Sequence, residues 1–295
     1  MPMPSRHLAG MDAPPTGITI ALEPLVTRVL APNPSPYTFT GTQTHIVGTR
    51  DVAVIDPGPA DAAHHAALLV AIAGRPVRAI VITHHHRDHS PAAIRLKAET
   101  GAPIVGAAAF RLSDDGPRAD AAFDPDYAPD RVLADGERVA GEGWTLEALA
   151  TPGHTSNHLC FALLESKALF SGDHVMGWST SVVSPPDGDM TAYMASLEKL
   201  IGRDDRVYYP GHGDAVENPQ RLVRGMLGHR KQREGQILRL LGEGVATIPA
   251  MVGKMYVGLD PRLAGAAGQS VLAHLVDLER RGLAIAEGAA WRRGA

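Results

Sequence analysis

Apolar residues along the chain follow two rhythms, and the change between them falls close to residue 217. Before it, short β-branched runs alternate with Ala-rich stretches. Val77–Ile82, Trp144–Ala150, Ala168–Phe170 and Arg206–Tyr208 each predict a strand, and Leu159–Ala162 has the character of a buried one. Pro103–Gly106 predicts a shorter strand, and Val47-Gly48-Thr49-Arg50-Asp51-Val52-Ala53-Val54 a β-hairpin within Thr44–Val54. Ala60–Ala73 and Ala92–Glu99 predict helices, the second closed by Gly101. Strands interleaved with helices imply a layered α/β arrangement, because a sheet must bury its faces against other elements. No repeat of fixed period interrupts this order.

Beyond Pro219 the spacing turns helical. Leu222, Met226, Ile237, Leu238, Leu240 and Leu241 supply apolar positions until Gly242-Glu243-Gly244. A second helix starts near Thr247, read as its cap, with Pro249 tolerated in the first turn. A third spans about Gly268–Arg281, with Val271, Leu272, Leu275, Val276 and Leu278 forming its buried stripe. Two short strands around a Gly turn follow, over Gly282–Arg293. Three helices and a terminal hairpin predict a winged-helix-like unit over 217–295, after a main domain over 18–216. Residues 1–17, Pro-rich and polar, are expected to be unstructured.

Composition narrows the partners. With 295 residues and 31.2 kDa, the chain is long enough for one large core and a small extra domain. No apolar run reaches the roughly 18–20 residues of a membrane span, and the first 17 residues lack the basic start and apolar core of a signal peptide. Cys160 is the single cysteine, so no intrachain disulfide forms, which fits a cytoplasmic location. The net charge of −4 argues against a polycation, yet Arg221, Arg224, Arg230, Lys231, Arg233 and Arg239 cluster against one acid, Glu234. Such a run reads first as a solvated helix face and second as a nucleic-acid-facing strip.

The chemistry concentrates at strand ends. Thr83-His84-His85-His86-Arg87-Asp88-His89 follows the strand Val77–Ile82. Imidazole and carboxylate suit zinc, iron or manganese, and no thiolate is present to favour a softer ion. On so short a loop, alternate residues can point to different sides. His84 and His86 can then grip one ion while Asp88 and His89 reach a second, about 3.5–4 Å away. Three further strands end in ligand-bearing turns: Thr151-Pro152-Gly153-His154-Thr155-Ser156-Asn157-His158, Phe170-Ser171-Gly172-Asp173-His174 and Tyr208-Tyr209-Pro210-Gly211-His212-Gly213. One histidine-rich surface loop would be unremarkable; four ligand-bearing strand ends in order are not. Asp114–Asp130, rich in Asp, Pro and Ala, reads as an irregular loop near the mouth of this site.

With these motifs the chain resembles the metallo-β-lactamase-fold hydrolases over about residues 18–216. The C-terminal unit is similar to that of the branch carrying a winged helix. The resemblance implies a four-layer αββα sandwich with metals at one edge of two sheets. It also implies two divalent metal ions per chain, zinc being the first choice. His84, His86 and His154 would hold one ion, Asp88, His89 and His212 the other, and Asp173 would bridge them. Asp56, in Ala53-Val54-Ile55-Asp56-Pro57-Gly58, matches an earlier family motif and would hold the ligand loop from behind; the alternative is an Asp that merely opens a turn. His85 stands where the family often has a small residue and should point away from the ions. His158 and His174 read as hydrogen-bonded structural histidines, and His64 and His65 as helix-surface or packing residues.

The expected chemistry is hydrolysis by a metal-bound hydroxide, with Asp88 orienting it or accepting its proton. Cys160 reads as inert packing, and no phosphate-loop or dinucleotide fingerprint is present. A small thioester, lactone or β-lactam-like substrate is the first reading, with Met176–Ser181 walling an apolar pocket. The alternative is an endoribonuclease-like phosphodiesterase acting on single-stranded RNA, weakened by the acidic total charge and 5% aromatic content. A non-catalytic, metal-containing binding module ranks last, because the ligand set leaves coordination positions open. No membrane partner is expected, and the oligomeric state stays open.

Overall fold

The computed structural model describes residues 14–109 and 123–294. The unstructured start expected before residue 14, and the part of the Asp114–Asp130 loop before residue 123, lie outside the described residues.

Two sheets face one another. The first has seven strands in sequence order: β1 (Thr19–Glu23), β2 (Val26–Leu30), β3 (Gln43–Val47), β4 (Val52–Ile55), β5 (Val77–Ile82), β6 (Ile104–Gly106) and β7 (Arg131–Val132). Pairing is antiparallel from β1 to β4 and parallel from β4 to β7. The second sheet contains β8 (Arg138–Gly141), β9 (Trp144–Ala150), β10 (Leu159–Leu163), β11 (Ala168–Gly172) and β12 (Val207–Pro210) in the order β12-β11-β10-β9-β8. Only β11 and β12 pair in parallel there.

Both sheets are buried on both faces, which is why their central strands read as continuous apolar runs rather than as alternating ones. Along β5, Ala79 and Val81 point to the core between the sheets, while Ile80 and Ile82 point outward to helices. Along β10, Phe161 faces the inner core, and Cys160 and Ala162 face the opposite side. The inner core joins Val47, Ile55 and Val81 of one sheet to Trp144, Phe161 and Phe170 of the other. Helices α1 (Ala62–Ile72) and α2 (Ala92–Thr100) cover the first sheet, with Leu68, Ile72 and Leu96 fully or almost fully buried. Helices α3 (Met190–Leu200) and α4 (Pro219–Gly242) cover the second through Tyr193, Leu197, Val223 and Met226. The result is the expected four-layer αββα sandwich. Each fully buried Leu or Phe contributes about 1.5–3 kcal/mol.

The β1–β2 hairpin and α3 extend beyond the elements foreseen. Helix α3 is capped by Asp189, whose side chain accepts from the Ala192 N–H at 2.8 Å. His64 and His65 prove to be packing residues and not surface ones. Both are buried, with His64 Nε2 2.9 Å from Thr44 Oγ1 and His65 Nε2 2.8 Å from Glu99 Oε2.

Helix α4 serves two cores. Its first half packs on the second sheet, while Ile237, Leu240 and Leu241 join a separate C-terminal core. That core comprises α5 (Ile248–Met255), α6 (Ala264–Arg280) and the hairpin β13 (Ala284–Glu287)–β14 (Ala290–Arg293), sealed by Met251, Leu275, Leu278 and Trp291. Thr247 occupies the cap position of α5 through its backbone, but its side chain makes no capping hydrogen bond. A bridge from Thr247 to Ala290 adds a third line to the wing.

The basic run on α4 is not a uniform solvated face. Arg221, Arg224, Lys231 and Arg239 are exposed, as expected. Arg230 is only 2% exposed, and the Arg233 guanidinium lies 4.3 Å from the Tyr256 ring centre. Burial between helices, which a one-dimensional charge count does not register, accounts for the difference.

Candidate metal centre

Strand direction assembles the site. β4 and β5 run parallel in one sheet, so Asp56 and the Thr83–His89 turn emerge at the same edge. In the other sheet β9 and β11 share a direction through the intervening antiparallel β10, and β12 is parallel to β11. The turns bearing His154, Asp173 and His212 therefore leave that sheet on one side.

Seven predicted side chains converge there. Three groups have ligand atoms all within 4.8 Å of one another: His84, His86 and His154; His84, His89 and Asp173; and Asp88, His89 and His212. His86 Nδ1 lies 3.1 Å from His84 Nε2 and 3.2 Å from His154 Nε2. On the other side His89 Nε2 is 3.3 Å from His212 Nε2, and Asp88 Oδ2 is 3.1 Å from His212 Nε2. Asp173 stands between them: Oδ2 is 3.6 Å from His154 Nε2, and Oδ1 is 3.5 Å from His89 Nε2 and 3.4 Å from His212 Nε2. The side chain of Asp88 is 26% exposed, against 10% for Asp173, so it is the carboxylate that looks outward.

Behind the inward nitrogens of four of the five histidines stands an oxygen. His84 Nδ1 faces Thr83 Oγ1 at 3.0 Å, and His89 Nδ1 faces Asp56 Oδ2 at 2.9 Å. His154 Nδ1 faces the Val182 carbonyl at 2.6 Å, and His212 Nδ1 faces the Gly41 carbonyl at 3.1 Å. An acceptor at Nδ1 favours the proton there and turns the Nε2 lone pair towards the centre. Asp56 completes this support: its Oδ1 accepts from the Thr83 N–H at 2.8 Å, and its Oδ2 accepts from the Thr83 hydroxyl at 2.7 Å. Its backbone holds φ at 47°, a left-handed conformation that Asp and Asn tolerate better than most residues.

These residues fit divalent cations. The lone pairs of His84 and His154 both converge on one His86 nitrogen, and buried Asp173 Oδ1 stays at 3.4–3.5 Å from the His212 and His89 nitrogens without closing a well-formed hydrogen bond. A cation would satisfy all of them at once. Protons otherwise fill part of that role. Burial alone would lower the His89 and His212 pKa values, but the adjacent carboxylates outweigh it. Asp88, Asp173 and Asp56 raise His89 well above the usual histidine range, and Asp173 and Asp88 raise His212 to about 9. Conversely, burial and the neighbouring His154 hold His86 down at about 3. Burial raises Asp88, but His89 and His212 pull it well below the ordinary carboxylate value.

Two glycines make the crowding feasible. A Cβ on Gly211 would lie 2.7 Å from His89 Cε1 and 2.8 Å from Asp173 Oδ1. Gly172, at φ 48°, would place one 2.7 Å from His158 Nε2.

The remaining histidines separate by surroundings. His85 is buried outside all three ligand groups, 2.8 Å from Asn157 Nδ2 and stacked on Phe123. His158 is the expected hydrogen-bonded histidine: Nδ1 lies 2.9 Å from Thr151 Oγ1, and Nε2 accepts from the Asp173 N–H at 3.2 Å. His174 is held more loosely: neither ring nitrogen closes a hydrogen bond of good geometry, the Ser196 backbone lies close enough for a weak one, and the ring packs edge-on against Tyr193. Cys160 is buried, and burial pushes its thiol up to about 12, so it stays protonated. In the Met176–Ser181 segment Trp178 stacks on Phe39 at 4.9 Å and crowds Gly213, next to His212. Sequence reasoning missed Asn157, Val182 and Gly41. The last two act through main-chain carbonyls, which leave no trace in side-chain identity.

Among the described residues no helix is long and apolar enough to cross a membrane. The Metallo-beta-lactamase superfamily model matches residues 37–212, and the Beta-lactamase associated winged helix domain model matches residues 247–291. An atrochrysone carboxyl ACP thioesterase from Aspergillus fumigatus is 34% identical over 226 residues, covering 75% of this chain and 66% of that protein. A beta-lactamase-like protein 2 homolog from Caenorhabditis elegans is 33% identical over 230 residues, covering 75% and 72%. A beta-lactamase domain protein from Burkholderia ambifaria shares the fold, with a TM-score of 0.78 at 19% identity over 97% of this chain and 96% of that one. With the matched family, the winged-helix unit and a His/Asp cluster at one edge of the sandwich, the chain belongs to the metallo-β-lactamase superfamily and is a metal-dependent hydrolase.

Proposed function

We propose that the protein hydrolyses acyl thioesters with two divalent ions, zinc first among them. One ion would be held by His84, His86 and His154, the other by Asp88, His89 and His212, with Asp173 shared. The observation that carries the dinuclear reading is the placement of Asp173, whose two carboxylate oxygens face different histidine groups. Bound there, such ions would supply Lewis acidity for the acyl carbonyl and lower the pKa of a water molecule towards neutrality. Asp88, outward-facing and kept ionised, orients the attacking water and can take its proton. Asp56 holds His89 and the Thr83 turn in place behind it.

The thioester preference rests on the relative named as a thioesterase, whose length the chain covers only to 66%. It also fits the Phe39–Trp178 stack beside His212, which offers an apolar wall to an acyl group. Lactones and β-lactams present the same carbonyl chemistry and rank next. Single-stranded RNA has less support, because Arg230 and Arg233 are engaged within the protein and cannot both track a phosphate backbone. The lone reduced cysteine supports a cytoplasmic location.

The test is turnover of an acyl-glutathione and an acyl-pantetheine thioester, a lactone, a β-lactam and single-stranded RNA by zinc-loaded protein with metal content measured. Thioester hydrolysis lost in Asp88→Asn is the expected result. RNA cleavage without thioester turnover would sink the proposal, and binding of a single ion would sink its dinuclear part.

A further inference from the structure

Helix α4 carries a buried cation that pairs with no carboxylate among the described residues. Arg230 is 2% exposed, and no acid lies within ion-pair distance of it among the described residues. Burying a guanidinium costs free energy unless hydrogen bonds compensate. Here the compensation is specific and partial, since the two terminal nitrogens are bonded and Nε is not. Nη2 donates to the Ser181 carbonyl, Nη1 donates to Ser270 Oγ on α6 at 3.3 Å, and the guanidinium carbon sits 5.0 Å from the Tyr193 ring centre.

Ser181 is not an arbitrary acceptor. The next residue is Val182, whose carbonyl accepts from His154 Nδ1 at 2.6 Å. Ser181 is held from its other side as well, since its hydroxyl donates to the His174 carbonyl at 2.8 Å. Tyr193 Oη donates to that same carbonyl at 3.1 Å. The guanidinium thus grips a two-residue segment whose far end fixes the proton position and ring orientation of His154. His154 Nε2 in turn faces His86 Nδ1 and Asp173 Oδ2.

We infer that Arg230 is a positioning residue: by clamping Ser181–Val182 against α4 and α6, it aims His154 at the metal centre. The C-terminal unit thereby becomes part of the site's support and not merely an appended module. This inference rests on the reading of His154 as a metal ligand. Groups that hold a ligand from behind typically alter metal affinity or activity by about 10–100-fold when removed. Ser270 anchors the clamp from α6, so loss of the clamp itself should be felt at His154 and not at His89, which is held by Asp56.

The experiment titrates metal-free, full-length protein with zinc against a chromophoric chelator, so that the two binding steps are resolved without reference to turnover. Arg230→Met should weaken one step by about 10–100-fold and leave the other within a few-fold. In the metal-free protein it should also shift the His154 Nδ1–H proton resonance. Arg230→Lys keeps the charge but cannot bridge Ser181 and Ser270, and a several-fold loss at the same step is expected. That variant carries the test should Arg230→Met fail to fold. Leu272→Ala, which loosens the C-terminal core away from Ser181, should lower the melting temperature without changing either zinc step. Unchanged zinc binding in Arg230→Lys would overturn the inference, as would an equal loss in Leu272→Ala. Wild-type protein that takes up no zinc would refute the metal centre itself, and this coupling with it.

Discussion

Replacing Asp56 by Asn should disable one side of the metal centre while preserving shape. The substitution is nearly isosteric, and Asn tolerates the φ of 47° that this position requires. What changes is the donor–acceptor pattern. Asp56 only accepts: from the Thr83 N–H through Oδ1, and from the Thr83 hydroxyl and His89 Nδ1 through Oδ2. An amide can keep the first bond through its oxygen, but its NH2 group then meets two donors. The Thr83 hydroxyl can rotate to accept. His89 can accommodate only by giving up its Nδ1 proton and keeping one on Nε2, the atom that faces Asp88, Asp173 and His212. A protonated Nε2 has no lone pair for a cation. Losing one hydrogen bond to a charged group costs about 1.5–3 kcal/mol, and a buried donor left unmatched about 1–3 kcal/mol. The metal-free protein should therefore lose about 2.5–6 kcal/mol on urea denaturation. Zinc affinity should fall by about 10–100-fold at the step involving His89. A variant with an unchanged urea midpoint and two unchanged zinc affinities would show that Asp56 is only a turn residue.

Other perturbations probe other parts of the structure. Gly211→Ala pushes a methyl into His89 and Asp173, both within 3 Å of it, and should abolish binding of at least one ion by metal analysis; retention of both would mean that the β12 turn relaxes freely. His154→Ala and Asp88→Ala should each remove nearly all hydrolysis while circular dichroism stays close to wild type, since these ligands lie on turns and not in the cores; near-wild-type turnover in either would refute its role. Buried His274 should make the fold acid-sensitive. Burial, and then Arg230, His229 and Arg233, hold its pKa down at about 3, below the value near 6.5 of an unfolded chain. The unfolded state binds the proton first, so this contribution to stability is complete above pH 6.5 and is lost as the pH falls from there towards 3. His274→Phe should flatten the stability-versus-pH slope of metal-free protein by about 1.4 kcal/mol per pH unit between pH 6 and 4, and an unaltered slope would count against a neutral His274.

How far the fold could be read from sequence depended on how each element is buried. Val77–Ile82 was legible because its last four residues are buried and leave an apolar run, and Trp144–Ala150 because buried apolar residues largely alternate there with partly exposed ones. Helix α3 was not singled out, although Met190, Tyr193, Leu197 and Leu200 keep helical spacing behind the Asp189 cap. Its apolar residues sit among polar ones, and it follows directly on a Pro- and Gly-containing ligand loop. The two-residue strand β7 is wholly exposed, so nothing in its composition distinguishes it from a turn. Arg230 shows the converse problem: charge alone suggested solvent, whereas tertiary packing between α4, α6 and Tyr193 turned it inward.

The site divides along a related line. Residues expected to act through side chains could be named, because His, Asp and Gly at strand ends are chemically conspicuous. Their orientation could not, because much of it comes from main-chain oxygens. His154 is fixed by the carbonyl of Val182 and His212 by that of Gly41, and neither residue type predicts such a role. Gly41 is set in turn by the Thr38–Thr42 turn, where its N–H donates to the Thr38 carbonyl at 2.9 Å. The two candidate ligand groups are thus supported from different regions: His212 and His89 from the first sheet and its loops, His154 from the segment that α4 and α6 hold. Loss of the Arg230 clamp should reach the His154 side first, whereas disturbance of β3 or β4 should reach the His89–His212 side. A sequence pattern can specify which ligands are present, but that division of support becomes visible only when the carbonyls are placed.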